Sequence, residues 1–188
     1  MSMIEDQIWI GSNGDANNSL YLGERQITHV LCWAKEFEYP PGHLLLYKES
    51  QWHRLPIIDD VADSNTEIYF REGAAKLNEW VTKGHKVIVH CFAGISRSVS
   101  VVIAYYMLYR GWNFNTAYSH VKQRRFQANP HPDFIPILKE LSLTKWTYWF
   151  KFELIVFIKI KWISISNCRF KSGILSTVFK NIRGSPNL

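Results

Sequence analysis

Cysteine is scarce in this chain: three residues in 188, at positions 32, 91 and 168, with no spacing that pairs them. That scarcity argues against a disulfide-stapled secreted scaffold and against a cysteine-built zinc site, and it points to a reducing compartment. The histidines at 29, 43, 53, 85, 120 and 131 stand at no metal-ligand spacing with the cysteines, so no metal and no other cofactor is expected. The opening Met1-Ser2-Met3-Ile4-Glu5-Asp6 lacks the basic and apolar regions of a signal peptide, and Ser2 stands where a myristoylation site requires glycine. A cytoplasmic location, with nuclear access open, is the expectation. No run of five or more basic residues occurs, and Lys122-Gln123-Arg124-Arg125 reads as the solvated face of a helix.

Acidic residues are nearly missing from the last quarter. Residues 142–188 hold eight Lys or Arg and one acid, Glu153, which leaves fourteen basic and fifteen acidic residues before them. The net charge of +6 is therefore +7 in the tail and −1 in the rest, so the basic balance implies no nucleic-acid partner for the main domain. The tail also lacks a long apolar run, because Lys151, Glu153, Lys159 and Lys161 interrupt residues 146–165. Leu154 to Ile158 is too short to span a bilayer, although its aromatic and cationic neighbours suit weak contact with an anionic membrane surface. The expected organisation is one catalytic domain over 1–143 and a basic, aromatic-rich tail over 144–188, in an oligomeric state the sequence leaves open.

What the chain does have is Val87-Ile88-Val89-His90-Cys91-Phe92-Ala93-Gly94-Ile95-Ser96-Arg97-Ser98, a buried-type strand running into a tight loop and then a helix. The first turn of that helix offers unpaired N–H groups and a partial positive charge, both suited to an anion. The amides of Phe92, Ala93, Gly94, Ile95, Ser96 and Arg97 are placed to cradle phosphate, Gly94 lets the loop curl, and Arg97 can grip two oxygens. The same field favours a thiolate at Cys91, since helix N-termini and cations lower a cysteine pKa from about 8.5 into the range of about 3.5 to 7.5. A thiolate is a competent nucleophile.

His90-Cys91 through Arg97-Ser98 resembles the His-Cys-x5-Arg-Ser signature of the protein tyrosine phosphatases, and its AGISRS form resembles the small, atypical dual-specificity phosphatases. The resemblance runs from Met3 to Leu141. It implies a metal-free, two-step mechanism through a phosphocysteine intermediate, acting on phosphotyrosine and on phosphoserine or phosphothreonine in protein partners. It further implies that Ser98 hydrogen-bonds the cysteine sulfur and that His90, pointing to the opposite face of its strand, orients the loop. A carboxylate must protonate the leaving group and later activate water. Asp60, 31 residues before Cys91, matches the family's spacing and is the expected acid; counting forward from Pro56 would favour Asp59 instead, and Asp63 is the third candidate. The family often carries asparagine and glutamine where this chain has His131 and Ile137, a departure expected to soften support of the loop modestly. Two alternatives stay open: the same chemistry on a phosphoinositide, RNA 5′-phosphate or glucan, or phosphate binding without turnover. The neutral Phe92, Ala93 and Ile95 favour protein substrates.

Strands are expected at 7–10, 27–33, 44–47, 53–58 and 86–90. Helices are expected from Ser96 to Tyr109, from a cap at Asn65 to Thr82, from Asn115 to Arg125, and after Pro132 and Asp133. The alternation predicts an α/β domain whose central, mostly parallel sheet is flanked by helices, with the phosphate loop between a strand and a helix N-terminus.

Overall fold

The computed structural model describes residues 1–37, 51–59 and 64–141. The strand expected at 44–47, the candidate acids Asp60 and Asp63, and the tail over 144–188 lie outside the described residues. Within them, five strands form one sheet: β1 (Ser2–Glu5), β2 (Ile8–Gly11), β3 (His29–Cys32), β4 (Trp52–Arg54) and β5 (Val87–His90), in the order β1-β2-β5-β3-β4. Only the β1–β2 pairing is antiparallel; β5 lies between β2 and β3 and is parallel to both. All four residues of β5 are buried, which is why its sequence shows continuous apolar character rather than alternation.

The helices are α1 (Asn13–Ala16), α2 (Ser19–Glu24), α3 (Thr66–Thr82), α4 (Arg97–Tyr109), α5 (Phe114–Arg124) and α6 (Phe134–Leu141). Helix α4 is buried from Arg97 to Met107, because it sits against the sheet with helices on its other sides. Helix α3 turns Phe70, Ala74, Leu77 and Trp80 inward, together with Gly73. A Cβ on Gly73 would overlap the Trp33 ring, which stacks on Phe70 at 6.1 Å. This close approach justifies a residue that costs about 1 kcal/mol in a helix interior.

Several elements differ from expectation, and the strand expected at 27–33 is confined to His29–Cys32. The strand predicted over 53–58 stops at Arg54, since Pro56 has no N–H to give the ladder, and Leu55 and Ile57 make isolated backbone bonds instead. Strand β1 was not foreseen: as an edge strand it buries only Ile4 and leaves almost no apolar signal. The short helices α1 and α2 are set by side-chain caps at Ser12 and Asn18 rather than by any apolar periodicity.

Parallel strands carry their C-terminal ends to the same edge. Gly11, Cys32 and His90 are in register there, which gathers the loops after β2, β3 and β5 in one place.

Candidate active site

Cys91 stands one residue past β5 and is 1 % exposed. The chain then turns through residues 92–96 and enters α4 at Arg97, the strand–loop–helix arrangement read from the sequence. Gly94 adopts φ +73°, the left-handed region that a side chain disfavours, and its N–H donates to Cys91 Sγ at 3.2 Å. Ser98, in the first turn of α4, places Oγ 3.4 Å from the same sulfur. The sulfur thus faces a backbone donor, a hydroxyl and the N-terminus of a 13-residue helix. Such surroundings suit a negative charge at that point.

Arg97 is 3 % exposed, and its guanidinium faces a cavity of about 700 Å³ lined by Lys35, Glu36, Ile58, Asp59, Phe92 and Ala93. Nη1 donates to Glu36 Oε2 at 2.7 Å, Nη2 forms an ion pair with Glu36 Oε1 at 2.7 Å, and Nη1 also reaches the Ile57 carbonyl at 3.3 Å. Burial alone would raise the Glu36 pKa, but these bonds outweigh it and hold the carboxyl below its ordinary range. Asp59 Oδ2 lies 3.4 Å from Arg97 Nε, an ion-pair distance without hydrogen-bond alignment, which turns this carboxylate onto the arginine. Glu36 escaped the sequence reading. It lies 61 residues from Arg97 in a loop with no motif of its own, and only the parallel pairing of β3 and β5 brings the two together.

His90 is 1 % exposed and its Nδ1 lies 3.3 Å from the Cys91 carbonyl. Burial lowers its pKa to about 4, so the ring is neutral near pH 7. Phe92 is 64 % exposed and stacks parallel to Phe37, with ring centres 6.3 Å apart. This gives the mouth of the cavity an aromatic wall. Ser96 Oγ accepts from the His131 amide at 3.1 Å, and the Asn129 amide donates to the Ile95 carbonyl at 2.9 Å. The segment with the unusual His131 and Ile137 therefore supports the loop through backbone amides, while Ile137 packs against the core. Arg125 corrects the sequence reading: it is 3 % exposed rather than solvated, because the chain turns inward at the end of α5.

A family model described as "Dual specificity phosphatase, catalytic domain" matches residues 8–143. The chain belongs to the dual-specificity phosphatases. Among its relatives, Dual specificity protein phosphatase 1B of Arabidopsis thaliana is 36% identical over 142 residues, covering 76% of this chain and 81% of that one. Tyrosine-protein phosphatase yvh1 of Schizosaccharomyces pombe is 39% identical over 139 residues, covering 74% of this chain and 40% of the relative. The crystal structure of DUSP15 superposes with a TM-score of 0.67 at 29% identity, covering 76% of this chain and 86% of that one. Human DUSP28 matches in fold with a TM-score of 0.69 at 23% identity, over 79% of this chain and 99% of that chain. This dual-specificity phosphatase is thus a cysteine-based protein phosphatase, and phosphorylated proteins are its substrate class.

Proposed function

We propose that the enzyme hydrolyses phosphotyrosine, phosphoserine and phosphothreonine in two steps through a phosphocysteine at Cys91. The observation that carries this reading is the sulfur itself, seated beneath the loop with the Gly94 N–H at 3.2 Å and Ser98 Oγ at 3.4 Å. In the first step the Cys91 thiolate attacks phosphorus, the P–O bond to the substrate breaks, and a carboxylic acid delivers its proton to the departing oxygen. Loop amides and Arg97 hold the three equatorial oxygens throughout. In the second step the resulting carboxylate takes a proton from water as the water attacks phosphorus. The S–P bond breaks and Ser98 donates a hydrogen bond to the thiolate that leaves.

Asp60 is the acid in this scheme. Asp59 is turned onto Arg97 at 3.4 Å, a placement that supports a role in holding the arginine rather than reaching a leaving group. Protein substrates are favoured over polyphosphorylated head groups because the loop side chains Phe92, Ala93 and Ile95 carry no charge.

Hydrolysis of p-nitrophenyl phosphate by the full chain, without added metal, tests the chemistry. Turnover that vanishes in Cys91→Ser and is blocked by orthovanadate is the expected result; turnover that survives Cys91→Ser refutes it. For the acid, Asp60→Asn should slow hydrolysis of a phosphoserine peptide far more than that of p-nitrophenyl phosphate, whose leaving group needs little protonation. The same pattern in Asp59→Asn instead would move the role to Asp59.

A further inference from the structure

A loop that points its amides inward at an anion must point its carbonyls outward into protein, and every buried carbonyl there requires a donor. Following the loop residue by residue shows who supplies them. Phe92 O accepts from the Asn13 amide at 3.0 Å, Ile95 O from the Asn129 amide at 2.9 Å, and Ser96 O from the Ser100 amide at 2.9 Å. The two carbonyls at the tightest part of the turn, Ala93 O and Gly94 O, are served by one side chain. Arg125 Nη2 reaches Ala93 O at 3.4 Å and Arg125 Nε reaches Gly94 O at 2.6 Å. Its Nη1 ties the same guanidinium to the sheet, at Ile10 O (3.3 Å), and to Ser2 Oγ (3.1 Å).

We propose that Arg125 is a positioning residue of the phosphate loop, clamping the Ala93 and Gly94 carbonyls from behind so that the adjoining amides face Cys91 and the bound phosphate. This rests on the reading of the loop as the phosphate site. Four acceptors on three different segments fix the guanidinium in one place, and its planar fork is what lets one side chain serve two successive carbonyls. A Cβ on Gly94 would lie 2.6 Å from Arg125 Nη2, so the clamp also depends on glycine at that position.

The charge of this clamp is unusual. Among the described residues no carboxylate forms an ion pair with Arg125, whose partners are three carbonyls and one hydroxyl. Burial pulls its pKa below the ordinary arginine value, while the nearby Asp15 and Cys91 act in the opposite direction. A buried cation lacking a carboxylate is stabilised by an anion nearby, so a dianion seated in the loop stabilises Arg125 and, by reciprocity, Arg125 strengthens binding of the dianion. Arg97 meets the phosphate from the front; Arg125 acts on it through the loop.

The test is calorimetric binding of inorganic tungstate, an oxyanion that is not turned over, to the full chain and three variants at a temperature where each is fully folded. Arg125→Met should bind about tenfold more weakly, the loss expected for removing a charge-assisted hydrogen bond. Arg125→Lys should recover part of that loss, since it restores the charge but not the fork. Val121→Ala, a buried change one turn earlier in α5, should lower the melting temperature yet bind tungstate as the native chain does. Equal affinities for the native chain and Arg125→Met would overturn the proposal. If Arg125→Met does not fold, equal affinities for Arg125→Lys and Val121→Ala would overturn it. A native chain that binds no tungstate would instead bring down the phosphate-site reading, and this proposal with it.

Discussion

Gly94→Ala puts the geometry of the phosphate loop under the most direct strain. Holding a non-glycine residue at φ +73° costs about 1–2 kcal/mol from the clash of Cβ with its own backbone. The new Cβ would also lie 2.5 Å from the Gly11 carbonyl oxygen and 2.6 Å from Arg125 Nη2. Gly11 cannot retreat easily, because it is paired in register with His90 at the end of β5. Overpacking of this kind typically costs a further 1–3 kcal/mol. A total near 3 kcal/mol in a chain of this size lowers the melting temperature by roughly 6–12 °C. Shifting the loop also removes the Gly94 N–H from the sulfur, so tungstate affinity and p-nitrophenyl phosphate turnover should fall with the melting temperature. Gly23→Ala is the control: it lies in α2 with nothing within 4 Å of the added methyl and should be neutral or slightly stabilising. Thermal unfolding followed by circular dichroism, with and without tungstate, reads both effects. A Gly94→Ala protein that melts within about 2 °C of the native chain and retains tungstate affinity would refute the argument.

Further outcomes follow from neighbouring contacts. Glu36→Gln removes a carboxylate that both Nη atoms of Arg97 engage at 2.7 Å and that repels an incoming dianion, so tungstate should bind about two- to fivefold tighter. Weaker binding would instead mean that Glu36 orients the arginine. Burial lowers the pKa of both His29 and His90 to about 4, so the unfolded chain takes up protons below pH ~6.5 that the folded chain refuses. Stability from these two groups is complete above pH ~6.5 and falls, by at most about 2.7 kcal/mol per pH unit, toward pH 4. Urea unfolding between pH 7 and 4 measures this, and a flat profile would contradict it. Burial pushes the Cys32 thiol up to about 12, so at pH 8 iodoacetamide should modify Cys91 well before Cys32, with tungstate protecting Cys91. Peptide mapping that finds Cys32 modified first would refute the burial argument. Ile137→Gln should leave turnover within about twofold of native, because backbone amides of Asn129 and His131 already carry the support of the loop.

The strand–loop–helix around Cys91 was legible from residues 87–98 because each of its requirements is local: a buried strand, one glycine, a cysteine, an arginine and a helix start lie within one short stretch. The same holds for α3, α4, α5 and α6, whose apolar spacing or caps announced them to within a residue or two. Strand β1 and the helices α1 and α2 were not legible, since an edge strand burying one residue and two capped turns carry little periodic signal. Glu36 and Arg125 were missed for a different reason. Each is an ordinary charged residue in sequence, and its role depends on a partner 61 residues away in one case and 31 in the other.

The sequence by itself determined the α/β order, the strand–loop–helix that seats Cys91 and Arg97, and the family, because those follow from short-range spacing and from chemistry that admits few residue types. Tertiary structure alone decided that Glu36 faces Arg97, that Asp59 turns onto the same arginine, and that Arg125 goes inward behind the loop. Those placements follow from parallel strands carrying distant loops to one edge, and from buried carbonyls requiring donors wherever the chain can supply them.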